Sequence, residues 1–98
     1  MTAPKFEALN LPPDCLEKGG VEVLRASVVD GAVSIAMRRS FDDPFTWGVL
    51  LADLARHAAR IYALETELTE EQAMSLIRDG LEAELQDPTD PGSVQAIN

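Results

Sequence analysis

The sequence predicts an α+β fold: a short N-terminal helix, an antiparallel β-hairpin, then two α-helices packed on it. Three observations predict it. Asp30-Gly31 sits between two β-prone runs, a pairing that marks a tight hairpin. Apolar residues recur every three or four positions from Trp47 to Tyr62, the period of an amphipathic helix. Thr69 followed by Gln72 has the S/T-x-x-E/Q spacing that starts a second helix. Together they predict a single domain over residues 1–88, with strands at about 21–29 and 32–39 and helices at about 44–63 and 70–86. Residues 89–98 are rich in Pro, Gly and polar residues and are expected to form a flexible tail.

Each element has its own local cause. "PPDCLEK" opens on prolines, which cost little in a first helical turn, and Gly19-Gly20 stop it. A two-residue Asp-Gly loop fixes the hairpin register, so paired residue numbers sum to a constant. Val28 then faces Val33, Ala26 faces Ile35 and Leu24 faces Met37, which makes one side apolar. Glu22 is expected opposite Arg39 at the open end. The other side pairs Val29 with Ala32, Ser27 with Ser34, Arg25 with Ala36 and Val23 with Arg38, and is small and only partly apolar. Asp43 is the expected N-cap of the long helix, with Pro44 at its first position. Trp47, Leu50, Leu51, Leu54, Ala58, Ile61 and Tyr62 make its apolar stripe, while Asp53, Arg56 and Arg60 lie on its wet face. Gly48 and several alanines keep parts of this helix thin, open to close approach by a sheet or another helix. In the last helix Met74, Ile77, Leu81 and Leu85 form a stripe, Leu68 stands where it can staple onto Ala73, and Asp87-Pro88 ends the element.

A hairpin alone is marginal in water and needs further strands or a covering helix. The long helix is the expected cover for the Leu24/Ile35/Met37 face. The second face and the strand edges call for a second copy, by a continuous four-stranded sheet or by face-to-face packing, so a homodimer is expected. The candidate interface is Val21, Val23, Arg25, Val29 and Arg38. A monomer whose second face is covered by the acidic helix and the N-terminal segment is the simpler alternative.

Composition narrows function. The chain has 98 residues, a net charge of −9 and one cysteine, Cys15. A single Cys forms neither an intrachain disulfide nor a CxxC zinc site, which fits a reducing compartment. The first 13 residues lack a basic and apolar signal pattern, and no apolar run is longer than that of Val49 to Ala52, so a cytoplasmic protein without membrane spans is expected. Residues 65–98 carry nine acids and one base, Arg78. Such a field repels nucleic acid, which needs clustered Lys and Arg, although it suits a basic protein partner.

"FDDPFTWGVLLADLARHAARIY" holds the only Trp, His and Tyr of the chain. Asp53 stands four residues before His57, a spacing at which a carboxylate can orient an imidazole for acid–base work. The same pair is also an ordinary helix contact. Trp47, Asp53 and His57 are therefore the candidate ligand pocket, weighed against a half-buried histidine at the edge of the apolar stripe. Trp47 has the plainer role of a core aromatic closing the hairpin's open end. Arg38, Arg39, Arg56 and Arg60 are candidates for an anion patch or for pairing with the acidic helix. No nucleophile elbow, P-loop, dinucleotide fingerprint or metal spacing is present, so no catalytic residue, metal or cofactor is predicted.

"GGVEVLRASVVDGAVSIAMR" followed by "DDPFTWGVLLADLARHAARIY" resembles a family of small α-proteobacterial proteins known as a domain of unknown function, over roughly residues 11–88. The resemblance implies an intracellular bacterial domain with the element order above, and no catalytic residues. The reading is a small non-enzymatic protein acting through protein–protein contact, with a small-molecule binder or enzyme using His57 and Asp53 near Trp47, or an acidic protein binding a basic partner, as alternatives.

Overall fold

In a computed structural model the described residues are 4–89 and 94–96. Five elements follow the expected order, α1 (Pro13–Lys18), β1 (Leu24–Val29), β2 (Ala32–Met37), α2 (Phe45–Glu65) and α3 (Glu70–Gln86), and β3 (Val94–Ala96) is an addition to it. The fold is α+β. Within residues 89–98, Val94–Ala96 forms a short strand parallel to β2 along Ile35–Met37, and residues 90–93 and 97–98 lie outside the described residues.

The hairpin register is the one the turn dictates. Leu24 pairs with Met37, Ala26 with Ile35 and Val28 with Val33, through to Val29 with Ala32. Asp30 and Gly31 both have positive φ, 49° and 80°, as a type I′ turn requires. The strands are shorter than the apolar runs that predict them. β1 begins at Leu24 because Gly19 and Gly20, with φ of 73° and 148°, turn the incoming chain. β2 ends at Met37, before Ser40 turns the outgoing chain with a φ of 61°.

Pro44 already has helical dihedrals, φ −56° and ψ −23°, and the amide of Phe45 donates to Oδ1 of Asp43 at 3.0 Å. Asp43 thus does the capping expected of it. At α3 the capping box is complete. The Gln72 amide donates to Oγ1 of Thr69 at 3.1 Å, and the Thr69 amide donates to Oε1 of Gln72 at 2.9 Å.

The core departs from expectation. α2 and α3 pack on each other, and neither packs on the hairpin. The reason lies in α2 itself, which carries two apolar faces. Ala55, Ala59 and Ala63, four residues apart, form the covered face, and small side chains allow a close helix–helix approach. Among the described residues only Ala59 and Ala73 are fully buried, at 1% and 2% exposure. Of the large stripe that was expected to cover the sheet, Leu51, Leu54, Ile61 and Tyr62 are exposed, while Trp47, Leu50 and Ala58 are half-buried. One joint ties the hairpin to the helices. The indole N–H of Trp47 donates to the Arg39 carbonyl at 2.7 Å, and Phe41 meets the Trp47 ring edge-on at 5.4 Å.

The protomer is consequently open. Its accessible surface is 8857 Å², against about 5,500 Å² for a compact monomer of this mass. Its radius of gyration is 15.8 Å, against about 13 Å for a compact chain of this length.

Candidate interaction surface

Three open surfaces stand out. The first is the apolar sheet face. Near the turn Val28 and Val33 are 76% and 59% exposed, and Leu24, Ile35 and Met37 continue the face half-buried. Alternation puts these side chains on one side of the pleat, and among the described residues no helix packs on β1 or β2. The second is the large stripe of α2, with Leu64 beside it and Leu81 and Leu85 exposed on α3. The third is the edge of β1. The strand order β1-β2-β3 gives β2 a neighbour on each side and leaves β1 at the edge.

The N-terminal segment stands beside that edge. Residues 4–11 and β1 line a groove of about 720 Å³. Phe6 lies under the Arg25 guanidinium, 5.9 Å from ring centroid to Cζ, in cation–π range. Phe6 is not among the residues that the sequence pattern marks. An aromatic at the head of a polar, proline-containing segment was the available signal.

Polar groups at the hairpin's open end are already engaged. Glu22 does not reach Arg39. Its carboxylate takes a two-pronged contact from Arg25, Nε to Oε1 at 2.9 Å and Nη2 to Oε2 at 3.1 Å. The cause is local: Arg25 is three residues away and reaches the carboxylate first. The Arg25 hydrogen bond holds the Glu22 carboxyl below the ordinary carboxylate value of 4.5, and charge from Arg25 and Arg38 acts in the same direction. Arg38 Nε donates to the Glu22 carbonyl at 2.9 Å. Of the other interface candidates, Val21 and Val29 are exposed and Val23 is half-buried.

The candidate pocket residues have separate partners. Asp53 faces Arg56 at 3.4 Å rather than His57. His57 is exposed, and the indole N–H of Trp47 is used by Arg39. Arg60 reaches Glu70 of α3 at 3.3 Å, so one of the four candidate arginines does pair with the acidic helix. Cys15 is an exposed thiol on α1. Among the described residues no group of three or more His, Cys, Asp or Glu side chains is placed to hold a metal ion. No helix of the described residues is long and apolar enough to cross a membrane.

The family model for a domain of unknown function, DUF5076, matches residues 8–89. The chain belongs to this family. The match runs from the N-terminal segment past the end of α3, so it takes in α1, the hairpin, α2 and α3 of this chain. A solved structure from the photosynthetic bacterium Rhodopseudomonas palustrus CGA009, described as a "putative pyruvate dehydrogenase", is similar over 100% of both chains, with 49% identity and a TM-score of 0.75. No curated protein matches the sequence.

Proposed function

We propose that this DUF5076 protein is a non-enzymatic bacterial cytoplasmic protein that acts through protein–protein contact as a homodimer. The observation that carries the reading is the openness of the protomer. It exposes about 3,400 Å² more than a compact chain of its mass, part of it on residues 4–20, which are all exposed, and part on the sheet face and helix stripe. Its apolar sheet face and its apolar helix stripe are both uncovered. Two such faces on one chain are self-complementary, because a second copy brings the stripe that the first copy's sheet lacks.

The absence of a reacting constellation in the sequence supports the non-enzymatic part. The activity named for the Rhodopseudomonas relative finds no support in the placement of the sole histidine, which is exposed beside an Asp53 engaged by Arg56.

Light scattering at micromolar concentration tests the dimer. A species of twice 10.6 kDa is expected, and a clean single-chain mass overturns the reading. Salt separates it from the acidic-protein alternative. Two chains of net charge −9 repel, so the homodimer tightens as salt screens them, whereas a complex with a basic partner weakens.

A further inference from the structure

The hairpin register decides which backbone groups are free. In a two-residue hairpin the residues flanking the loop form a hydrogen-bonded pair, and such pairs alternate along the ladder. Val29·Ala32, Ser27·Ser34, Arg25·Ala36 and Val23·Arg38 are therefore the bonded pairs. The last is seen directly, with the Arg38 amide donating to the Val23 carbonyl at 3.1 Å. It follows that the amides and carbonyls of Leu24, Ala26 and Val28 point away from β2, out of the sheet edge. An edge of this kind is a template for another strand. The groove between β1 and residues 4–11 lies beside it.

We infer that β1 pairs antiparallel with β1 of a second copy about a two-fold axis at Ala26, joining two sheets into one. The inference rests on the homodimer reading and names its joint. Four things select a second copy as the occupant and Ala26 as the axis. The protomer's surplus surface is large enough for an obligate interface. Centring on Ala26 pairs all of 24–28 with its counterpart, setting Leu24 opposite the partner's Val28 and Ala26 opposite the partner's Ala26. Moving the axis to Arg25 brings two like charges directly opposite, about 4.5 Å apart at Cα. Moving it to Ser27 sets Leu24 against the partner's Asp30, a charged turn residue. With the axis at Ala26, Leu24, Ala26 and Val28 of both copies fall on the same side as Val33, Ile35 and Met37. The open apolar face then doubles in area without a break.

The test uses the full chain with Cys15→Ser, so that no other thiol is present. Ala26→Cys places two thiols in a bonded pair with Cα atoms about 5.5 Å apart, inside disulfide range. Ser27→Cys places them on a diagonal at about 7–8 Å, outside it. Under mild oxidation the first variant is expected to convert to a covalent dimer and the second not. Ala26→Pro is the companion variant. It deletes an N–H that points outward, so the hairpin keeps its own bonds, and the dissociation constant is expected to rise at least tenfold. If the native chain is a dimer but Ala26→Cys fails to cross-link, or Ser27→Cys cross-links as fast, the β1 joint is overturned and the homodimer stands. A native chain that is a monomer at every concentration overturns both.

Discussion

Leu54 lies at the centre of the open α2 stripe, and its replacement by alanine separates what the protomer holds from what a second copy holds. Full burial of a leucine side chain contributes about 1.5–3 kcal/mol. Leu54 is 43% exposed in the protomer, so roughly 1 kcal/mol of that remains to be gained on contact with a partner. A symmetric dimer uses the residue twice, which makes the expected loss about 2 kcal/mol of association energy, or roughly a 30-fold rise in dissociation constant. Alanine is a good helix former, so α2 itself is not weakened. Sedimentation equilibrium over a dilution series reads the dissociation constant. Thermal melts at two protein concentrations read the linkage, because a dimer's melting point moves with concentration. An unchanged dissociation constant for Leu54→Ala would show that the stripe is not where copies meet. A destabilisation that is the same at every concentration would place Leu54 in the protomer core instead.

Ala59→Leu is the internal contrast: it forces a large side chain into the α2–α3 contact, where Ala59 is 1% exposed, and should cost about 1–3 kcal/mol by denaturant unfolding. Gly31→Ala puts a Cβ on a residue with φ of 80° and open space around it, so backbone strain alone should cost about 1–2 kcal/mol, visible as loss of strand signal on heating. Glu22 titrates below 4.5 because of Arg25. A depressed folded-state value means its contribution is present above that pH and is lost as pH falls through the folded value. In Arg25→Gln the Glu22 carboxyl should titrate closer to 4.5 by NMR, and no movement would mean that the ion pair does not form in solution.

The local elements were legible because their causes are local. Asp30-Gly31 permits one tight turn, and that turn sets every pair in the ladder. Thr69 and Gln72 are three residues apart and satisfy each other's backbone. The Glu22–Arg39 pair failed for a related reason. Strand register sets which residues are opposite, but Arg25 reaches the same carboxylate from three residues away. The short strand at Val94–Ala96 had no signal in the sequence, since three residues are too few for alternation to show.

What periodicity does not carry is the identity of the neighbour. Helix α2 has a stripe of large apolar side chains and, turned roughly a third of the way round, a stripe of alanines. Hydrophobicity favours the first stripe as the core face. Within the chain the second is the more covered, with Ala59 buried and Ala55 and Ala63 half-buried. The stronger apolar face was then left for a contact outside the protomer. The same logic applies to the hairpin, whose best apolar face is open while its end is pinned by Trp47 and Arg39. In a chain too small to enclose a large core, the most hydrophobic stripe is thus a guide to where copies meet as much as to where the chain folds on itself.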